Sequence, residues 1–271
     1  MQRKAIFITG AGSGIGRAVA VLFGQRGWFV GLADVSEKGM AETEALLPGG
    51  YSYKHKLDVR DRQAWDEALA AFSIASGGRI DAVFNNAGIG TGGGLEDLSQ
   101  DEIDALIDIN FRGVVYGAQA ALPHLRKTAP GSALVNTASA AALYGSGGLA
   151  LYSATKFAVR GLTEALDTEW QDEGIRVSSL MPSFVDTNIL AGPANKKTNI
   201  TKRDSVVAAG LEFTPVEEVA EVVWQAVNGG SKLHNIVGKT AKTMAFAAKW
   251  MPGKLRARSR RLMQTRTQLA K

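Results

Sequence analysis

The segment Thr9-Gly10-Ala11-Gly12-Ser13-Gly14-Ile15-Gly16 constrains this chain more than any other. It stands between an apolar run at residues 5–9 and a helical pattern at residues 15–25. Glycines placed there let the backbone turn sharply, and they clear the way for a pyrophosphate to approach the amides of a helix N-terminus. A glycine-rich string alone also serves plain turns; the strand–turn–helix setting is what favours a dinucleotide. Asp34 closes the next apolar run, 18 residues after Gly16. A carboxylate at that point accepts hydrogen bonds from ribose hydroxyls and repels a 2′-phosphate. The ligand expected is therefore NAD rather than NADP, held by Gly10, Ser13, Gly14, Ile15, Gly16 and Asp34.

Strand-type runs at residues 5–9, 29–33, 51–57, 82–85, 133–137, 176–180 and 235–237 alternate with helical patterns at 15–25, 37–46, 62–76, 100–125, 151–172 and 216–227. The strands are mostly continuous apolar runs, the mark of a sheet covered on both faces. Repeated strand-then-helix order with short connections predicts an α/β fold: a single doubly wound parallel sheet with helices on both faces. Ser36 before Glu37 and Ser99 before Asp101-Glu102 supply N-caps, and Thr214-Pro215 ahead of Glu217-Glu218 marks another helix start. The one long irregular stretch, residues 188–214, reads as a substrate lid. The division expected is a dinucleotide-binding and catalytic domain over residues 1–240 and a basic amphipathic helical extension over residues 241–271.

Charge is unevenly placed. From Val222 onward there are eleven Lys/Arg and no Asp/Glu, whereas the preceding 221 residues carry 20 basic and 26 acidic side chains. The basic surface that nucleic-acid binding requires is thus not expected on the main domain. The absence of Cys excludes a disulfide scaffold, a thiolate zinc site and a cysteine nucleophile. No run of about 18 apolar residues is present, so a soluble, cytoplasmic protein is expected. In the tail, Met244, Ala247, Ala248 and Met251 share a helical face, with Phe246 and Trp250 close by; Leu255, Leu262 and Leu269 follow at intervals of seven among arginines. Packing on a neighbouring subunit or over the substrate cleft is the preferred reading of this tail, ahead of contact with an anionic membrane surface.

Tyr152-Ser153-Ala154-Thr155-Lys156 opens the helix after the fifth strand. Spacing of i to i+4 puts Tyr152 and Lys156 on one face. A neighbouring ammonium favours the phenolate, so Tyr152 is expected below its ordinary value of about 10 and able to act as general acid or base. Ser139 follows the fifth strand, at the edge where ligands of such sheets collect, and its hydroxyl can bond a reacting oxygen.

In their order along residues 4 to 240, Thr9–Gly16, Asp34, Asp58-Val59, Asn85-Asn86-Ala87-Gly88, Asn110, Ser139 and Tyr152 with Lys156 resemble the short-chain dehydrogenase/reductase family. The resemblance implies a Rossmann-type oxidoreductase that moves a hydride between NAD(H) and a secondary alcohol or ketone. It further implies that Asp58 and Val59 contact the adenine, and that Asn86, Ala87 and Gly88 border the adenosine ribose. Lys156 would bind the nicotinamide ribose, and Val185 and Thr187 would lie near the carboxamide. Asn110 would hold a water that relays protons from Lys156, and the chain would form a homodimer or homotetramer. Where the family has Pro-Gly, this chain has Pro182-Ser183.

Leu143, Tyr144, Leu149, Phe184, Ile189 and Leu190 flank the expected cleft and point to an apolar, lipid-like or cyclic substrate. Other chemistries lack their motifs. No Ser has the Gly-x-Ser-x-Gly setting of a hydrolase, His55, His124 and His234 fall in no metal or catalytic pattern, and Gly238-Lys239-Thr240 fails as a phosphate loop at Leu233. A non-catalytic NAD-binding regulator on the same fold is the rival reading. Ser139, Tyr152, Lys156 and Asn110 together argue against it.

Overall fold

Seven strands form one sheet in the order β3-β2-β1-β4-β5-β6-β7, every neighbouring pair parallel. They are β1 (Ala5–Thr9), β2 (Phe29–Asp34), β3 (Ser52–Lys56), β4 (Ala82–Asn85), β5 (Ala133–Thr137), β6 (Arg176–Pro182) and β7 (His234–Val237). The computed structural model describes residues 3–192 and 200–269, with side chains through residue 261.

Strands β1, β4 and β5 are buried on both faces, which is why they read as largely apolar runs. Along β1, Ile6 and Ile8 face one core with Val19, Ala20 and Phe23 of α1 (Gly14–Gln25) and Val219 and Val223 of α8 (Val216–Val227). Ala5 and Phe7 face the other, with Trp65, Leu69 and Phe72 of α3 (Arg62–Ala75) and Leu125 of α5 (Gly113–Thr128). Each such large side chain contributes about 1.5–3 kcal/mol on burial. Gly31 of β2 makes room for the rings: a Cβ there would stand 2.7 Å from Phe7 and 2.8 Å from Phe72.

The remaining helices are α2 (Glu37–Glu44), α4 (Gln100–Ile107), α6 (Ala150–Trp170), α7 (Lys202–Ala208), α9 (Lys239–Trp250) and α10 (Pro252–Leu269). Two departures from the sequence reading matter. The helix expected over residues 100–125 is continuous but carries a π-type turn, Asp108–Arg112, where α4 passes into α5. The stretch 188–214 is not wholly irregular either, since it contains α7, which opens with a reciprocal Thr201–Asp204 capping box.

Because β1 lies between β2 and β4, the strand order reverses beside it. That reversal opens a crevice at the carboxyl ends of the strands. The glycine turn after β1, Asp34 at the end of β2, Asn86 after β4, Ser139 after β5 and Ser183 after β6 all meet along that edge.

Candidate active site

A cleft of about 400 Å³ runs along the carboxyl edge of the sheet. Gly10, Ser13, Gly14, Ile15, Asp34, Asp58, Val59, Asn86, Ala87, Gly88, Ser139, Tyr152, Lys156, Val185 and Thr187 line it. Gly10 and Gly14 have φ of 66° and 52°, a left-handed backbone that favours glycine. The Asp34 carboxylate is fixed at the rim by two main-chain donors, Gly12 N and Ser36 N, each at 2.9 Å. Thr9 ties β1 to the end of β4: its Oγ1 accepts from Asn86 N at 3.0 Å and Ala87 N at 3.1 Å.

Gly16 does not reach the cleft. It lies buried where α1 crosses the turn, and a Cβ there would stand 2.1 Å from the Gly10 carbonyl oxygen. Arg17, near Asp34 in sequence, is engaged elsewhere: its guanidinium pairs with Glu42 at 2.8 Å and donates to Thr43 Oγ1 at 3.1 Å.

At the other end of the cleft, Tyr152 and Lys156 stand one turn apart on α6. The Lys156 ammonium is buried, donates to the Thr137 carbonyl at 2.9 Å and lies 5.7 Å from the centre of the Tyr152 ring. Burial pushes its pKa down to about 8. Tyr152 hydrogen-bonds Ser139, whose Oγ also accepts from Ala141 N at 3.1 Å.

The phenol departs from the sequence expectation. Burial raises its pKa, and the bond to Ser139 lowers it by less. The ammonium donates to the Thr137 carbonyl, and desolvation of the phenolate sets the direction of the shift.

Asn110 sits in the π-type turn, fully buried, and does not line the cleft. Its Oδ1 accepts from Ile89 N at 2.8 Å and its Nδ2 donates to Ile89 O at 2.9 Å. The side chain thus braces the backbone after β4. Gly88 lies between: a Cβ on it would stand 3.2 Å from Asn110 Oδ1 and 3.6 Å from Lys156 Nζ. Ser183 adopts an ordinary negative φ, so no left-handed conformation is demanded where the family has Gly. Its amide pairs with the Val237 carbonyl at 2.9 Å.

A family model described as short chain dehydrogenase matches residues 4–199. The chain belongs to that family. Among curated relatives, it is 37% identical over 223 residues to the meso-2,3-butanediol dehydrogenase of Serratia marcescens, covering 82% of this chain and 86% of that one. It is 35% identical over 225 residues to the cyclohexanol dehydrogenase of Acinetobacter sp. strain SE19, with the same coverage of each. Among solved structures, a short chain dehydrogenase/reductase from Burkholderia phymatum in complex with NAD superposes with a TM-score of 0.79. That pair is 26% identical and covers 95% of each chain.

Residues of the 188–214 stretch, expected as a lid, and of α9 also line the cleft. The chain leaves the sheet region at Val185 and returns at Thr214, and these two residues pair as a parallel bridge. Within the excursion, Lys202 Nζ donates to Gly90 O at 2.7 Å and Ile189 O at 3.3 Å, and Arg203 pairs with Asp186 at 2.9 Å. Lys202 lines the cleft, as do Thr240 and Met244 of α9. Leu149, Phe184, Ile189 and Leu190 line it as expected, whereas Leu143 and Tyr144 do not; Leu143 packs instead against a small core beside Val159 and Met181. None of the three histidines lines the cleft. His234 joins Ser179 and Glu164, each at 2.9 Å.

Proposed function

We propose that this dehydrogenase transfers a hydride between NAD(H) and an apolar secondary alcohol or its ketone. One observation carries the reading. A single cleft joins the glycine turn and Asp34 at one end to Ser139, Tyr152 and Lys156 at the other. The residues fit the cofactor: glycines give close backbone approach, and a carboxylate held by two amides awaits the ribose hydroxyls. The NAD complex of the Burkholderia structure supports the same choice. Bound NAD supplies the hydride acceptor and a positive charge that favours the phenolate.

Tyr152 then takes the hydroxyl proton of the alcohol as its carbon gives up hydride. Ser139, already bonded to Tyr152, orients that oxygen. Lys156, held by Thr137, would bind the nicotinamide ribose and favour the phenolate electrostatically. Both ends of the Asn110 amide are used by Ile89, so a proton-relaying water would rest on the main-chain carbonyl of the π-type turn.

The substrate end is apolar, with Leu149, Phe184, Ile189, Leu190 and Met244. Both curated relatives named above take their names from secondary alcohols. A screen of secondary alcohols and ketones, followed by absorbance of the reduced nicotinamide, tests the reading. Turnover of cyclic or branched members is expected. NADH binding with no turnover across the panel would favour a regulator. A homodimer or homotetramer is proposed from the family likeness, and light scattering of the full chain tests it.

A further inference from the structure

Helix α9 presents two unlike faces. Ala241 is buried, and Met244 reaches the cleft. Helical spacing places Lys239, Lys242, Phe246, Lys249 and Trp250 together on the opposite side. Phe246 and Trp250 are 58% and 64% exposed, one turn apart. The Lys249 ammonium lies 4.9 Å from the centre of the Trp250 ring. A single exposed ring is ordinary on a protein surface. Two rings set among three lysines on one helical face form a surface with an apolar centre and a cationic border.

Charge selects the occupant. No acidic residue occurs after Glu221. Among the described residues, no salt bridge involves Lys239, Lys242 or Lys249. The run continues on α10, where Arg256, Arg258 and Arg260 are exposed; Leu262 and Leu269 lie outside the residues whose side chains are described. A second copy meeting this face with its own would bring the same positive charge and be repelled. An anionic bilayer offers both complements: phosphates for the cations and an interfacial zone in which phenyl and indole rings settle.

We propose that the outer face of α9, extended by α10, docks the enzyme on an anionic membrane surface. The contact is peripheral, since among the described residues no helix is long and apolar enough to cross a membrane. Because Met244 borders the cleft from the same helix, docking holds the cleft one helix diameter from the lipid.

The test sediments the full chain with vesicles of phosphatidylcholine, alone or mixed with phosphatidylglycerol. Binding to the mixed vesicles is expected to be roughly tenfold stronger and to fall away at about 0.5 M salt. Phe246→Ser with Trp250→Ser, and separately Lys242→Glu with Lys249→Glu, should each weaken binding about tenfold. Turnover of a water-soluble substrate by both variants should stay unchanged, which also reports that they fold. No sedimentation with anionic vesicles overturns the proposal, as does binding indifferent to both pairs of substitutions. So does a ring variant that loses oligomer mass in light scattering while the parent chain ignores vesicles, or retention of RNA without vesicle binding. Docking is read with no alcohol present, so its failure is distinct from failure of the reaction proposed above.

Discussion

Lys156 Nζ stands 5.7 Å from the centre of the Tyr152 ring, while its hydrogen bond goes to the Thr137 carbonyl at 2.9 Å. The cation therefore faces the ring while it donates to a main-chain oxygen. Its buried position exacts a cost that pH can reveal.

That cost sets a stability profile. Lys156 has a pKa of about 8 in the folded protein against 10.5 ordinarily. Between those values the unfolded chain still holds the proton that the folded chain has released. Raising the pH from about 8 toward 10 should thus favour the fold, by up to about 3 kcal/mol in the limit. Tyr152, whose pKa is raised, acts in the opposite sense only at higher pH. Urea unfolding across this window should show the rise in the native chain and its loss in Lys156→Met.

Tyr152→Phe removes the proton acceptor but leaves the ring in place. Turnover should fall about 10²–10⁴-fold, with NADH affinity nearly unchanged by fluorescence titration. Substantial residual turnover would reject Tyr152 as the acid/base.

Asp34→Ala removes the charge that repels a 2′-phosphate, while Arg17 remains paired with Glu42. The ratio of kcat/KM for NAD over NADP should drop by about tenfold or more. An unchanged ratio takes Asp34 out of the ribose site.

Two glycines should respond with opposite signs. Gly16→Ala drives a Cβ to 2.1 Å from a backbone oxygen and should destabilise by about 3 kcal/mol. Gly161→Ala, in α6 with no atom within 4 Å of the added carbon, should stabilise by up to about 1 kcal/mol. Urea midpoints of the two variants decide both.

Lys202→Met removes the hydrogen bonds that hold α7 to Gly90 and Ile189. KM for the alcohol should rise about tenfold while NADH affinity holds. Equal KM values would show that the lysine does not shape the substrate end of the cleft.

The sheet was legible because burial on both faces writes itself as continuous apolar runs, and β1, β4 and β5 fall where those runs were read. Asp34 and Ser139 were legible because each sits at a strand end, and Tyr152 with Lys156 because i to i+4 spacing on α6 puts them on one face; all four line the cleft. Asn110 was legible as a motif residue only. Its reciprocal bonds to Ile89 and the π-type turn they accompany leave no periodic trace. Helix α7 has seven residues, too few to display a period. The reach of Lys202 to Gly90 spans 112 positions along the chain, and no local pattern encodes it. Spacing likewise told of the charge beside Tyr152 but not of the burial that raises its pKa.

The bridge between Val185 and Thr214 has an evolutionary corollary. An excursion whose two feet stand side by side can be lengthened, shortened or exchanged at little cost to the scaffold beneath it. The residues this excursion brings to the cleft can therefore be exchanged while Ser139, Tyr152 and Lys156 keep their places after β5 and on α6.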